Sequence, residues 1–305
     1  MVRSGYNISP WISAFRLRTL PLALASIGMG SFLAAYAGDF NLEVLVLSAL
    51  TTVFLQILSN LSNDYGDSVH GADHVGRIGP DRAVQSGAIS YQSMKLAIIV
   101  VAILSLLSGI YLLYTAFGFG TTSFLYFFLL GLISIAAAIA YTVGKRPYGY
   151  IGLGDISVLL FFGLVGVMGT FYLHTEVFNG LIFLPAFSCG FFSMAVLNLN
   201  NMRDIESDKA AGKLSIPVRI GYKNAVYYHW ILLIAGFLAS LIFVWLNQGS
   251  WFKYLFLISI PLLLRNAIAV QNIDDPEMLD PYLKQMAITT LIFVITFGIG
   301  LLQGL

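Results

Sequence analysis

The chain has 305 residues, of which 58% are hydrophobic and 10% charged, and its net charge is +1. A soluble domain carries about 25% charged residues, so the composition excludes one, and a charge so near neutral gives no reason to expect a nucleic-acid partner. With a mean hydropathy of +0.83 and apolar runs far longer than the roughly ten-residue strands of a membrane barrel, the chain reads as an all-α membrane protein.

A membrane span needs roughly 20 apolar residues. Nine are expected in chain order, at about 17–37, 42–61, 94–116, 122–143, 153–173, 179–199, 224–246, 252–272 and 284–304. Pro21 falls in the first turns of the first span and starts or kinks it. Polar residues lead straight into that span, so no separate signal peptide is expected. The single cysteine, Cys189, stands in an apolar run and reads as a packing residue.

Lys and Arg set the expected orientation. With the N-terminus in the cytoplasm, fifteen of the sixteen basic residues fall on the cytoplasmic side and only Lys253 falls outside. The outer connections are short. The two long ones, about 62–93 and 200–223, are cytoplasmic, and the whole of 1–305 reads as one membrane domain.

Both long loops begin with acids. The first reads Asn63-Asp64-Tyr65-Gly66-Asp67 and then Asp73; the second runs from Asn200 through Asp204 to Asp208. If the helices continue into the loops, Asn60, Asn63, Asp64 and Asp67 share one face, and Asn200, Asp204 and Asp208 share another. Acids beside a membrane are costly and mark a functional site by default. Close carboxylates repel unless a cation lies between them. Mg²⁺ prefers such oxygens and bridges to substrate phosphates, so Asp67, Asp73, Asp204 and Asp208, with Asp64 beside them, are candidate metal ligands around a diphosphate ester. Arg77, Arg82, Lys209, Lys213 and Arg219 in the same loops are candidates for direct phosphate contacts.

Residues 73–82 are rich in turn formers and read as an ordered lid. His70 and His74 lack the thiolates or further histidines that zinc would call for. His174 and His229 read as interfacial polar residues. Tyr141 and Lys145 lie four apart at the end of the fourth span, and on spacing alone an aromatic anchor with a snorkelling lysine is favoured. Asp155 is either a helix cap or a site acid.

These motifs resemble the UbiA superfamily of intramembrane aromatic prenyltransferases over essentially the whole chain. The resemblance implies nine helices around a central cavity and two aspartate-rich cytoplasmic loops that bind Mg²⁺ and a prenyl diphosphate. Asn63, Asp64 and Asp67 match the first motif, but the usual third acid falls on Gly71 and appears later, at Asp73. That departure, the run Arg77-Ile78-Gly79-Pro80-Asp81-Arg82-Ala83-Val84-Gln85-Ser86-Gly87, and Gly152-Leu153-Gly154-Asp155 are similar to the menaquinone-forming subgroup, whose acceptor is 1,4-dihydroxy-2-naphthoate. Asn200 to Lys213 match the second motif, and Tyr141 with Lys145 matches a Y-x-x-x-K feature, which turns that pair into site residues.

The resemblance implies Mg²⁺ on Asp67, Asp73, Asp204 and Asp208, and a diphosphate held with Lys145 and nearby arginines. Tyr141 would face the allylic cation, and Arg18 or another basic residue would meet the aromatic carboxylate. The implied reaction is prenyl transfer to the naphthoate ring with loss of its carboxylate, the apolar tail lying in the bundle and open to membrane lipid. A sister enzyme using 4-hydroxybenzoate, homogentisate or a naphthoquinone nucleus is the nearest alternative. A CDP-alcohol phosphotransferase lacks its D-G-x-x-A-R signature here. An ion-coupled transporter would place ionisable groups near mid-membrane, whereas these acids cluster at one end.

Overall fold

The computed structural model describes residues 8–70 and 82–304. Among them nine helices are long and apolar enough to cross a membrane: α1 Ser9–Ala37, α2 Leu42–His70, α3 Tyr91–Phe117, α4 Thr122–Ala140, α5 Gly154–Thr175, α6 Gly180–Arg203, α7 Tyr222–Leu246, α8 Trp251–Gln271 and α9 Pro276–Gln303. The nine expected spans are all present, and their differences from expectation lie at the ends.

α1 begins eight residues before the expected start and is broken at Arg16, whose φ of 48° lies in the left-handed region. The break is pinned: the Asn60 amide donates to the Phe15 carbonyl at 2.9 Å, and the Thr19 hydroxyl donates to the Arg16 carbonyl at 2.9 Å. α2 runs on to His70, carrying the first acidic motif on helix as expected. α4 stops at Ala140 and the chain turns through Gly144, at φ 120°. α9 starts early because Asp275 caps the Glu277 amide at 3.0 Å and Pro276 follows as a first-turn residue. The middle of α5, Leu159–Gly169, is wound as a π-helix, a form concentrated at functional sites.

Neighbours in sequence pack side by side, α2 on α3 and α6 on α7 most extensively, and α1 closes the ring against α9. The closure is tight: a side chain at Gly298 of α9 would strike the Phe32 ring of α1. The exception is α4 against α5. α4 packs on α2 and α3, its backbone stays apart from that of α5, and none of its side chains is fully buried.

The densest core lies among α6, α7, α8 and α9, where Phe192 meets Phe293 edge-on at 4.9 Å between ring centres and Phe256 and Phe297 fill the space around them. His229 is not interfacial. It is fully buried and pairs with Asn266 Oδ1 at 2.8 Å, while Asn266 donates to Gln285 and to the Tyr282 carbonyl, so a polar chain ties α7, α8 and α9 where lipid offers no partner. His174 does sit at the end opposite the acids, bonded to Ser31 and to the Asn41 amide. Lys253, at that same end, is buried: its ammonium donates to the Tyr36 hydroxyl at 2.8 Å and to the Asn247 and Gln248 carbonyls that end α7.

Candidate active site

Gly66 is the reason α2 can approach the turn after α4: a Cβ there would lie 2.5 Å from the Thr142 carbonyl oxygen. Thr142 donates its hydroxyl to the Ser62 carbonyl at 2.9 Å and to Asn63 Oδ1 at 3.1 Å, which fixes both strands of the contact. Two further connections join the same region. The Leu214 amide donates to the Tyr150 carbonyl at 2.8 Å, and Arg219 donates to the Ile151 carbonyl at 2.9 Å. The segment after α4 and the loop after α6 are thereby zipped together over the end of α2.

Below this roof lies a cavity of about 410 Å³, lined by α1 to α6 and by Leu283 of α9. Asn63, Asp67, Arg82 and Tyr141 form one side of its polar end; Arg16, Asn200, Asn201 and Lys213 form the other. The rest of its wall is apolar. It is long: Asp67 and Ser48 both line it and are 19 residues apart on α2, about 28 Å at roughly 1.5 Å per residue.

The acids do not stand together as bare carboxylates. Asp67 accepts from Arg82 at 3.0 Å on Oδ2 and from the Tyr150 hydroxyl at 2.9 Å on Oδ1. Asp204 receives a two-pronged guanidinium from Arg203, at 2.8 Å on each oxygen. Asp208 accepts from the Lys213 ammonium at 3.1 Å. Arg203 is anchored in turn by Asp280 at 2.6 Å and by Asn200 at 3.0 Å, and Asp280 also meets Arg18 at 3.0 Å. Among the described residues no three His, Cys, Asp or Glu side chains gather as a metal cluster.

Burial sets the electrostatics. It pushes the Asp208 carboxyl up to about 6, with Lys213 pulling the other way and Asp204 and Asp67 adding to the rise. For Lys213, burial works against the charge, but the carboxylates of Asp208 and Asp67 outweigh it and hold the ammonium more firmly protonated than usual. Burial also pushes the Tyr141 phenol up to about 12, which keeps it neutral. Its ring is held edge-on to Tyr148 at 5.3 Å, and Gly149 and Gly154 leave room for it, since a Cβ at either would come within 3 Å of Tyr141.

Several expected site residues take other roles. Asp64 accepts the Ala83 and Val84 amides at 3.1 Å, one on each oxygen, so it anchors the turn beyond Arg82, and it does not line the cavity. Lys145 shares no helical face with Tyr141, because α4 ends before Tyr141; it is exposed and off the cavity wall, and Lys213 is the lysine that faces Tyr141. Arg18 pairs with Asp280, and the arginine that lines the cavity from the start of α1 is Arg16. Asp155 accepts the Tyr228 hydroxyl at 2.9 Å and ties α5 to α7 rather than lining the cavity. Asn63, Asp67, Arg82, Tyr141, Asn200 and Lys213 do line the cavity, with Asp204 and Asp208 just behind it. Asp73, Arg77, His74 and most of the expected lid lie outside the described residues.

The sequence reading gave no site role to Tyr150, Asn201 or Asp280. Asp280 carried a usable signal, an acid at the start of the ninth helix, on the same side as both motifs. The donors present fit a hard divalent cation: Asp208 Oδ2 and Asn201 Oδ1 are buried with no hydrogen-bond partner, and Asp67, whose oxygens hold Arg82 and Tyr150, lies near enough to act on the Asp208 carboxyl.

Comparison with known proteins gives a concordant answer. The profile of the UbiA prenyltransferase family matches residues 23–302. A Haemophilus influenzae protein named 1,4-dihydroxy-2-naphthoate octaprenyltransferase is 48% identical over 300 residues, covering 98% of this chain and 97% of the relative. An Escherichia coli protein of the same name is 46% identical, with 96% of each covered. Among solved structures, a UbiA homologue from Aeropyrum pernix K1 in its apo form superposes with a TM-score of 0.67 at 17% identity, covering 95% of this chain and 98% of that one. A UbiA homologue from Archaeoglobus fulgidus bound to DMAPP and Mg²⁺ gives 0.57 at 19% identity, covering 95% and 99%. Those two share the fold, while the relatives at 46% and 48% share nearly half of every position. With the profile spanning α1 to α9, the chain belongs to the UbiA prenyltransferase family.

Proposed function

We propose that the protein transfers a polyprenyl group from a prenyl diphosphate to 1,4-dihydroxy-2-naphthoate, with loss of carbon dioxide, to give a demethylmenaquinol. The observation that carries this is the near full-length identity to the two relatives of that printed name. The cavity supports it: a charged end for a diphosphate opens onto an apolar stretch for a tail, the whole about 28 Å long.

Asp67, Asp208 and Asn201, with Asp204 behind them, are the residues that would hold Mg²⁺; Asp73 joins them on the motif alone. When bound, Mg²⁺ supplies positive charge against the leaving diphosphate. Lys213 and Arg82 add fixed cations at the same end. The bond from C1 of the prenyl group to its oxygen breaks, and the diphosphate leaves with the electron pair. The face of Tyr141 stabilises the allylic cation so formed, and its neutral phenol supplies no competing nucleophile. The ring carbon that bears the carboxylate then bonds to C1, and the bond from that carbon to the carboxylate breaks, returning its electron pair to the ring as carbon dioxide departs. The apolar walls exclude the water that would otherwise capture the cation.

The proposed orientation puts the charged end in the cytoplasm of a bacterial inner membrane. Fifteen of sixteen basic residues support it, and the exception, Lys253, is a buried tie between Tyr36 and the end of α7.

The test is purified protein with Mg²⁺, a prenyl diphosphate and a panel of aromatic acids, with products read by mass. The expected product is the prenylated naphthalenediol lacking the carboxylate. A single-ring acid forfeits four buried carbons, roughly 3 kcal/mol at about 0.8 kcal/mol each, so 4-hydroxybenzoate should compete about a hundredfold less well. Preference for 4-hydroxybenzoate, or a product that keeps the carboxylate, moves the protein to another acceptor.

A further inference from the structure

Gln56 is a polar residue in the middle of a membrane-spanning helix, and the site described above does not use it. It stands on α2 eleven residues before Asp67, on the same helical face and about 16 Å along the helix, and it lines the main cavity. A polar side chain at this depth costs stability unless its groups find partners.

Half of the side chain has them. The Thr19 hydroxyl has a single hydrogen, which goes to the Arg16 carbonyl at 2.9 Å. The Thr19 oxygen can then only accept, and it accepts from two amides, Gln56 Nε2 at 3.1 Å and Asn60 Nδ2 at 3.2 Å. That fixes which way the Gln56 amide is turned. Its nitrogen also reaches Asn60 Oδ1 at 3.4 Å, so both of its hydrogens are taken. Asn60 is itself buried and donates to the Phe15 carbonyl, so it has nothing left to offer a ligand. Gln56 Oε1 makes no hydrogen bond among the described residues and is left to the cavity.

The cavity thus holds a fixed, neutral acceptor between its charged end and its apolar stretch. Such a group selects a ligand that brings a hydrogen. A prenyl tail brings none, and a diphosphate brings oxygens that repel it. The aromatic acid brings two hydroxyls. The one at C1 lies beside the carboxylate and bonds to it within the molecule, so the one at C4 is the donor that calls for a protein partner. We infer that Gln56 Oε1 accepts the C4 hydroxyl of the acceptor and selects for acids that carry it. This rests on the naphthoate acceptor proposed above. The C4 hydroxyl is meta to the carbon that is attacked, so Gln56 acts on binding and little on the reactivity of the ring.

Gln56→Met keeps the length of the side chain and removes the oxygen. Dissociation constants are measured by calorimetry for 1,4-dihydroxy-2-naphthoate and for 1-hydroxy-2-naphthoate, which lacks the C4 hydroxyl. Inorganic diphosphate and Mg²⁺ fill the charged end, so no transfer occurs. The wild-type protein should hold the diol about tenfold tighter or more. The variant should lose about tenfold or more for the diol and stay within about twofold for the other acid. Its kcat and its KM for the prenyl diphosphate should stay within about threefold of wild type. Equal losses for both acids, as a disturbed contact between α1 and α2 would give, overturn the assignment, and so does undiminished affinity for the diol. The comparison of the two acids on the wild-type protein needs no variant, and equal affinities there overturn it as well. A wild-type enzyme that prenylates 4-hydroxybenzoate but no naphthoate overturns the proposed acceptor, and the role of Gln56 with it.

Discussion

The Tyr150 hydroxyl donates to Oδ1 of Asp67 at 2.9 Å, across 83 residues of chain. Arg82 holds the other oxygen of the same carboxylate. Asp67 thus has its plane set from two loops, which orients any oxygen it offers to a cation. A hydrogen bond to a charged group contributes about 1.5–3 kcal/mol. Tyr150→Phe, which keeps the ring and removes the donor, should lower kcat/KM for the prenyl diphosphate by about ten- to a hundredfold. Titrating Mg²⁺ in the same assay should show a raised half-saturation point. Wild-type kinetics at every Mg²⁺ concentration would leave Tyr150 as packing.

The two lysines give a sharper contrast. Lys213 is buried at the cavity, on Asp208; Lys145 is exposed on the turn after α4. Lys213→Met should cost turnover heavily, by roughly a hundredfold or more, from the loss of a charged contact of about 3 kcal/mol. Lys145→Met should stay within about threefold. Steady-state rates with saturating Mg²⁺ separate them, and the reverse order would restore the lysine that motif spacing favours.

How much of this was legible beforehand follows from the physics of each part. Hydropathy fixes spans because a bilayer demands long apolar runs, so nine helices and their order could be read directly. Asp67 and Asp208 could be read because acids at span ends are rare. Lys145 was expected on one helical face with Tyr141 because helix continuation past Ala140 was assumed, and nothing local announces that Gly144 would turn the chain at φ 120°. Asp64 looked like its neighbour Asp67, yet it faces two amides 19 and 20 residues away, a contact that only the folded loop creates. Arg18 and Arg16 differ by two positions, and the break of α1 at Arg16 decides which one reaches the cavity.

Arg203 carries a prediction about stability. It is 2% exposed, forked onto Asp204 and anchored by Asp280. Breaking a buried ion pair from one side costs about 3–5 kcal/mol. Arg203→Met should therefore unfold at clearly lower temperature in detergent. Asp280→Asn should do less, because Asp280 is 37% exposed and solvent screens it. Unchanged melting of Arg203→Met counts against the pairing.

Two helical glycines should respond in opposite senses. Gly66→Ala sets a Cβ 2.5 Å from the Thr142 carbonyl oxygen, and backbone yields poorly, so about 1–3 kcal/mol should be lost. Gly131→Ala meets nothing within 4 Å and should gain about 0.5–1 kcal/mol from helix propensity. Thermal unfolding of the two side by side is the check, and a stabilised Gly66→Ala would show that the contact with Thr142 is looser than described.

Orientation is open to direct measurement. Cys189 is fully buried, so cysteines introduced at Ala211 and Thr121 report cleanly in intact cells. Position 211 should react only with reagents admitted to the cytoplasm and position 121 only from outside. Both labelled from one side would break the alternation of the nine helices.

Helices enter a membrane in the order of their synthesis, N-terminal first. α1 therefore waits for α9, the neighbour against which Phe32 packs at Gly298. Until then Asp280 has not arrived to link Arg18 with Arg203. A nascent chain stalled after α8 carries the acids and most of the cavity wall but no finished vessel, with Phe32 facing lipid in place of its partner helix. The contact between α1 and α9 is thus also a timer: it couples the arrival of α9 to the assembly of the chamber, and it makes the loss of α9 a failure of the whole bundle rather than of one wall.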